Sequence, residues 1–423
     1  MMKKRYLFAC LLLLFNACSN PGKEKEQSTE VITPPIYNGL IADNFQLAEK
    51  HFSNMLDVCE DATKIPRTTK EDSSLVTVGI HNWTSGFFAG SLWYLYEYTH
   101  DEKWKQAAEK WTRALEPIQH YTRHHDVGFM MYCSYGNGRR LGADSTYQDI
   151  LIQTAKSLST RFHPNTGCIK SWDYRKAWDD KTEWFYPVII DNMMNLELLF
   201  YASKASGDPQ YKEIAIRHAL TTMKNHYRPD FSSYHVVDYD TLNGEVLDQA
   251  TCQGFTDASA WARGQAWGLY GYTMVYRETK DPQFLTFAQN IADYILSRLP
   301  EDHIPYWDFD VFNKEFRPEW KYNPADFPTV PRDASAAAVI ASAFYELSTF
   351  VENGEKYKAQ ADAIIKELST SEYLAQPGEN NNFMLKHSVG SIPHGVEIDV
   401  PLVYADYYFL EALLRKQKLE KNS

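Results

Sequence analysis

A short turn motif recurs along this chain, and it restricts the possible fold more than any other feature. His100-Asp101-Glu102-Lys103-Trp104, Gly207-Asp208-Pro209-Gln210-Tyr211, Lys280-Asp281-Pro282-Gln283-Phe284 and Asn353-Gly354-Glu355-Lys356-Tyr357 each follow an apolar segment, and Asp144-Ser145-Thr146-Tyr147 resembles a fifth copy. In each, Gly, Asp or Pro ends one helix and starts another, and an aromatic follows that can pin the second helix to the first. The repeating unit is therefore a helical hairpin. Leu92, Leu95 and Tyr96, then Leu196, Leu199 and Phe200, then Ala337, Ile340 and Ala341 have the spacing of a helix face. There is little sustained two-residue alternation, so the chain is expected to be all-α.

Inner helices of the hairpins are expected to begin near Thr84, Asp126, Asp191, Arg263, Arg332 and Asp399, roughly 70 residues apart after a shorter first step. Six such hairpins close a ring. The expected fold is an (α/α)6 toroid occupying residues 38–423 as one catalytic domain, with Asp126, Asp191, Arg263 and Asp399 brought to one rim.

Ahead of that domain, Lys3, Lys4 and Arg5 precede an apolar run from Leu7 to Phe15 and then Ala17-Cys18, which reads as an export signal over 1–17. A small residue before Cys18 suits lipid attachment there, and the Lys-, Glu-, Ser- and Pro-rich stretch up to residue 37 suits a flexible tether. The expectation is an exported bacterial lipoprotein, periplasmic or associated with the outer membrane, touching membrane only through that anchor. Cys59, Cys133, Cys168 and Cys252 have no CxxC spacing and are expected as buried thiols. A formal charge of −12 argues against nucleic acid as a partner, and an acidic ligand would need local donors to hold it. The 14% aromatic content, with many Trp and Tyr in polar motifs, suits sugar rings, whose flat apolar faces such side chains cover.

An Asp before a helix is often only an N-cap. Asp126 and Asp191 stand out by their surroundings, His124-His125-Asp126-Val127-Gly128-Phe129 and Val188-Ile189-Ile190-Asp191-Asn192-Met193-Met194-Asn195. A carboxyl placed after three apolar residues and near a second carboxyl is suited to keep its proton at neutral pH, as a general acid must. Trp261-Ala262-Arg263-Gly264-Gln265-Ala266-Trp267 supplies two aromatic plates and one guanidinium, the parts that a planar anionic sugar requires. No metal motif is complete, the Asp238, Asp240 and Gly244 spacing misses a calcium loop, and nothing calls for a cofactor.

Taken together, His81 to Phe87, His125 to Phe129, Ile190 to Asn195, Ser233 to Asp238 and Trp261 to Trp267 resemble the unsaturated glucuronyl hydrolases, glycoside hydrolase family 88, in order along the chain. That family is a six-hairpin toroid. The resemblance implies hydration of the C4=C5 double bond left on a terminal uronic acid by a polysaccharide lyase. By the same analogy Asp191 acts as general acid and base, and Asp126 orients the ring hydroxyls and tunes Asp191. Trp83, Trp261 and Trp267 would then be pocket walls, Arg263 and Gln253 would lie near the sugar carboxylate, and His125 and His235 would bond hydroxyls. Lys386 to His394 matches the region facing the next sugar, where some members place Ser and Lys for sulfate. Ser388 and Ser391 fit, and Pro393 stands where Lys is expected, so glycosaminoglycan fragments are the expected substrates. The rival expectations are a rhamnogalacturonyl hydrolase acting on pectin fragments and a glycan-binding surface lipoprotein without catalysis.

Overall fold

The computed structural model describes residues 39–422, so the expected export signal, Cys18 and the tether lie outside the described residues. Helix α1 (Leu40–Val58) precedes α2 (Ser85–Thr99) and α3 (Glu102–Arg113), which form the first hairpin. In the second, α4 (Val127–Met131) runs through a wide π turn at Tyr132–Gly136 into α5 (Asn137–Arg140) and returns as α6 (Thr146–Ser159). Three regular hairpins follow: α7 (Leu196–Ser206) with α8 (Pro209–Asn225), α9 (Ala262–Thr279) with α10 (Pro282–Arg298), and α11 (Ala334–Ser348) with α12 (Glu355–Leu368). Helix α13 (Val403–Asn422) completes the set, with α1 as its outer neighbour.

Burial separates inner from outer helices. Every residue from Ala262 to Val275 of α9, from Ala334 to Tyr345 of α11 and from Val403 to Leu414 of α13 is buried. The partner helices bury one stripe, such as Trp104, Ala108 and Trp111 of α3 or Tyr357, Ala361, Ile364 and Leu368 of α12. Helix α13 packs against both α2 and α11, α9 against α7 and α11, and α4 against α2 and α7, so the inner helices close on themselves. The chain is an (α/α)6 toroid.

The recurring turns do what their residues suggest. His100, Gly207 and Lys280 end their helices in the left-handed conformation, with φ of 56°, 77° and 58°. Asp101, Asp208 and Asp281 then cap the next helix, each side chain accepting from the backbone N–H two residues on, a contact worth about 1 kcal/mol. Trp104, Tyr147, Tyr211, Phe284 and Tyr357 are all buried beneath the turn.

Two features depart from expectation. Eleven short strands occur among the described residues, in the loops above the ring. The most important sheet pairs Pro187–Ile189 with Val236–Tyr239, and the latter with Val246–Ala250. Its register sets Ile189 opposite Val236, and the Ile190 N–H donates to the His235 carbonyl at 3.0 Å, so the sheet delivers His235 to the residue beside Asp191. The second departure is Asp399. It does not open an inner helix: it lies in the strand Val396–Val400 with φ of 54°, and its half-exposed carboxylate bonds His387 Nδ1 at 2.6 Å, while α13 starts at Val403. The next-to-last inner helix is capped by Asp333, next to the expected Arg332, through Ser335 N–H at 3.0 Å.

Candidate active site

Asp126 stands at the N-cap of α4, and Asp191 lies in a 3-10 turn, Ile190–Asn195, that leads into α7. These are the two irregular inner helices, which suits a site where local geometry is bent to purpose. The side chains are 15% and 12% exposed, and among the described residues neither is in an ion pair with Lys or Arg. Burial raises Asp126 from the ordinary 3.8 to about 7, with Arg161 pulling against it. Burial likewise raises Asp191 to about 7; Arg263 opposes the shift and Asp126 adds to it, which places the two carboxyls in one electrostatic environment.

Two histidines complete the pair, and the network around each fixes which nitrogen carries hydrogen. Asn195 Oδ1 accepts from Phe129 N–H at 2.9 Å, so its amide nitrogen must donate to His125 Nδ1 at 3.1 Å and to Asn192 Oδ1 at 3.1 Å. His125 Nδ1 is thus an acceptor, and its Nε2–H faces Asp126 Oδ1 at 3.3 Å. His235 Nδ1 accepts from Cys252 N–H at 2.9 Å and Gln253 N–H at 3.2 Å, leaving Nε2–H toward Asp191 Oδ2 at 3.7 Å. Burial drives both imidazoles well below 6.5, so each is a neutral donor at pH 7. Gly128 makes the first network possible, since a Cβ there would stand 2.4 Å from Asn195 Oδ1.

Of the three tryptophans expected as pocket walls, Trp261 and Trp267 are enclosed, at 2% and 0% exposure. Trp267 is fully buried and meets Phe129 edge-on at 5.4 Å, with an indole N–H that has no bonded partner and lies near enough to Asp191 to favour its anion. Trp261 lies 4.8 Å from the His235 ring, and half-buried Trp83 packs on Phe129 and Tyr404. Gln253 donates to Gly390 O at 3.2 Å.

Arg263 is not the free fork that its motif suggested. It is 1% exposed, and its terminal nitrogens bond Asp333 at 2.9 Å, Gly390 O at 2.6 Å and Val389 O, with only Nε unpartnered. It therefore ties the 388–400 hairpin to the top of α11, and its charge reaches Asp191 through space. Ser388 is wholly buried with an unpartnered Oγ, whereas Ser391 Oγ bonds His394 Nδ1 at 2.6 Å.

Several contributors escaped sequence reasoning. Asn192 and Asn195 were visible as a polar pair three residues apart in an apolar run. Arg161 bonds the carbonyls of Thr122 and Lys170 and so fastens the His124-His125-Asp126 segment to the next loop; nothing in its sequence neighbourhood signals that. Trp172 meets the edge of His235 at 6.2 Å, Arg175 lies over Trp172 and bonds His394, and Trp178 packs on His394.

No family model matches the chain. An unsaturated glucuronyl hydrolase of Formosa agariphila is 43% identical over 384 residues, covering 90% of this chain and 91% of that protein. Among solved structures, an unsaturated glucuronyl hydrolase specific for heparin superposes with a TM-score of 0.84 at 47% identity, over 90% of this chain and 98% of that one. An unsaturated glucuronyl hydrolase variant from Streptococcus agalactiae, complexed with dGlcA-GalNAc6S, gives 0.72 at 29% identity over 89% and 91%.

Proposed function

The chain belongs to the unsaturated glucuronyl hydrolases, and on that premise we propose that it hydrates the C4=C5 double bond of a terminal unsaturated uronic acid on lyase-generated, glycosaminoglycan-derived oligosaccharides. The observation that carries the reading is the pair Asp126 and Asp191, both buried, both raised to about 7, and neither neutralised by a bonded cation. A carboxyl poised at that value can give a proton and take one back in the same turnover.

Asp191 is the group that moves the proton. In its acid form it delivers hydrogen to C4 of the enol ether, and positive charge develops at C5 and the ring oxygen. The resulting carboxylate then accepts a proton from water as the water oxygen bonds C5, so that Asp191 ends as it began and one water has added across the double bond. The product is a hemiketal. Its bond from C5 to the ring oxygen breaks, giving a ketone at C5 and a hemiacetal at C1; the hemiacetal collapses to an aldehyde as the C1–O glycosidic bond breaks, so the remainder of the oligosaccharide takes the proton and leaves with a free hydroxyl while the uronate becomes a 4-deoxy-5-keto acid. The Nε2–H of His235 and the indole of Trp267 steady Asp191 in its anionic phase. Asp126, with the His125 Nε2–H beside it, orients the sugar hydroxyls and, when ionised, raises Asp191.

Trp83, Trp261 and Trp267 wall the ring and exclude water from the charged intermediate. Loss of the conjugated ultraviolet absorbance of lyase-made disaccharides from chondroitin, heparin and pectin measures the reaction. Decay with the first two supports the reading; decay with the pectin product alone would favour the rhamnogalacturonyl alternative, and none at all a glycan-binding lipoprotein. The expectation of export joins this proposal: a tethered lipoprotein would meet oligosaccharides in the periplasm or at the outer membrane. Replacing Cys18 by Ser should release the protein from the membrane fraction, and unchanged membrane association would count against the anchor.

A further inference from the structure

The two reacting carboxyls are carried by separate segments, and a third segment, which touches neither carboxyl, is bonded to both. It follows the strand Cys168–Ile169, which pairs with Phe162–His163, and its contact point is the wholly buried Ser171. The Ser171 carbonyl accepts from the His125 N–H at 3.3 Å, one residue before Asp126. Its hydroxyl oxygen accepts from the Ile189 N–H at 3.0 Å, two residues before Asp191. Pro187–Ile189 is an edge strand, so its outer N–H and C=O groups need partners other than a neighbouring strand. Ser171 supplies them: its own N–H donates to Pro187 O at 2.8 Å, and its hydroxyl stands where the next strand's carbonyl would be. Asn195 joins the same two segments at another point, through Phe129 N–H and His125 Nδ1.

The brace is itself held on all sides. Ile169 donates its N–H to His218 Nδ1 at 3.1 Å and accepts from the Asn192 amide at 2.6 Å. Arg161, 8% exposed, donates through Nε to Lys170 O at 2.8 Å and through its terminal nitrogens to Thr122 O at 2.6 Å and Ser171 O at 3.3 Å, with Asp173 at 3.1 Å. Three of these partners are main-chain carbonyls, and Thr122 lies on the loop that leads to Asp126. A planar fork bonded to three carbonyls fixes their relative positions in a way that a point charge does not. Proton delivery to one carbon of a bound ring depends on such placement, since small displacements of a reacting group carry large rate penalties.

We propose that Ser171 is a positioning residue for the reaction: its carbonyl and hydroxyl hold the Asp126 and Asp191 segments at their working separation, and the Arg161 fork holds Ser171. The proposal rests on the hydration reading of the site. Asp191 faces His235, Arg263 and Asp126, and Asp126 faces His124, His125 and Arg161; of these relations, Ser171 bears on the one between the carboxyls. With lyase-made disaccharides, Ser171→Ala should lower kcat roughly tenfold and leave KM within about twofold. As the carboxyls relax apart, Asp126 raises Asp191 less, so the alkaline limb of the pH–rate profile, where Asp191 loses its proton, should move to lower pH. Arg161→Lys, which keeps the charge and loses the fork, should reproduce the loss of kcat. Tm should fall in both variants, as it does wherever a buried backbone group loses its partner, so kcat and the profile are the deciding measurements. Wild-type kcat and an unmoved limb in Ser171→Ala, whatever its Tm, would overturn the proposal and spare the hydration reading, and wild-type kcat in Arg161→Lys would overturn the part given to Arg161. Absence of turnover by the wild-type protein would end both the proposal and the reading.

Discussion

The two mouths of the ring use the same residue types to opposite ends. Around a cavity of about 500 Å³, Glu97, Glu278 and Glu346 near the C-terminal ends of α2, α9 and α11, Glu197 in the first turn of α7 and Glu411 midway along α13 line the wall. Each has a cation. Arg277 spans Glu346 at 2.8 Å, Glu278 at 3.0 Å and Glu197, Arg415 reaches Glu346 at 2.9 Å and Glu411 at 3.6 Å, and Arg140 bonds Glu97 at 2.6 Å. Burial pushes Glu346 up, but Arg415 and Arg277 together outweigh it and hold the carboxyl below its ordinary range. At the other mouth, at the N-cap of α4 and in the turn before α7, burial is opposed by Arg161 and Arg263 only through space, and Asp126 and Asp191 rise to about 7. The helix dipoles would favour anions at that end, yet burial prevails. A bonded cation marks a buried carboxylate as scaffold, and so do backbone donors, since burial also raises Asp308 to about 6 and Asp406 to about 7 while main-chain N–H groups hold both in place.

The largest expected effect comes from breaking the reactive mouth. Asp191→Asn should reduce kcat by roughly 10³-fold while leaving Tm unchanged or slightly higher, because an unpaired buried carboxyl is replaced by its neutral isostere. Activity retained, or a falling Tm, would mean that the two mouths do not differ as described. The converse change at the far mouth is Arg277→Met, which leaves Glu197 without its cation and takes one of two from Glu346, which keeps Arg415, and from Glu278, which keeps Lys204. It should cost about 3 kcal/mol of stability by denaturant titration, with kcat of the folded protein preserved. A loss of kcat at unchanged stability would assign that mouth to the chemistry instead.

How far the sequence alone reached follows the same division. The hairpin turns were legible because left-handed caps and Asp N-caps are local: Asp208 and Asp281 bond residues two positions away, and the following aromatic marks the return helix. Asp126 and Asp191 were legible from their short motifs, with roles implied by resemblance. Arg263 was misjudged because its partners, Asp333 and Gly390, are 70 and 127 residues away, and no local pattern announces that a guanidinium is already occupied. Asp399 was misplaced for a related reason: the hairpin 388–400 interrupts the helical period just before α13, and period counting cannot see an insertion of that kind. Arg175 and Arg161 belong to loops whose composition resembles any other polar loop.

A subtler change sharpens the contrast between bonded and unbonded groups. Asn195→Asp keeps the size of the side chain but removes the N–H that donates to His125 Nδ1. The imidazole must then carry hydrogen on Nδ1, which turns a lone pair toward Asp126 or makes the ring cationic. Either outcome should lower kcat roughly tenfold and displace the pH–rate profile, whereas a residue that only packed would move Tm and leave the profile where it was.

The smallest effect, and the most direct measure of the difference between the mouths, is the pH dependence of stability. Between about 4 and about 7 the folded chain holds protons on Asp126 and Asp191 that the unfolded chain has released, since burial raises both from 3.8 to about 7. Stability from this source is complete below about 4, declines as pH rises, and is lost above about 7. His125 and His235 act in the opposite sense: burial lowers them, so they favour the folded state fully above 6.5 and penalise it as pH falls. The wild-type curve sums both trends, and the difference between wild type and Asp191→Asn removes the histidine part. That difference in Tm should grow in favour of the variant as pH rises from about 4 to about 7 and then stay level. A difference that instead favoured the wild type increasingly as pH rose would mean that Asp191 is held as a paired anion, like the glutamates of the far mouth, and could not serve as the proton donor.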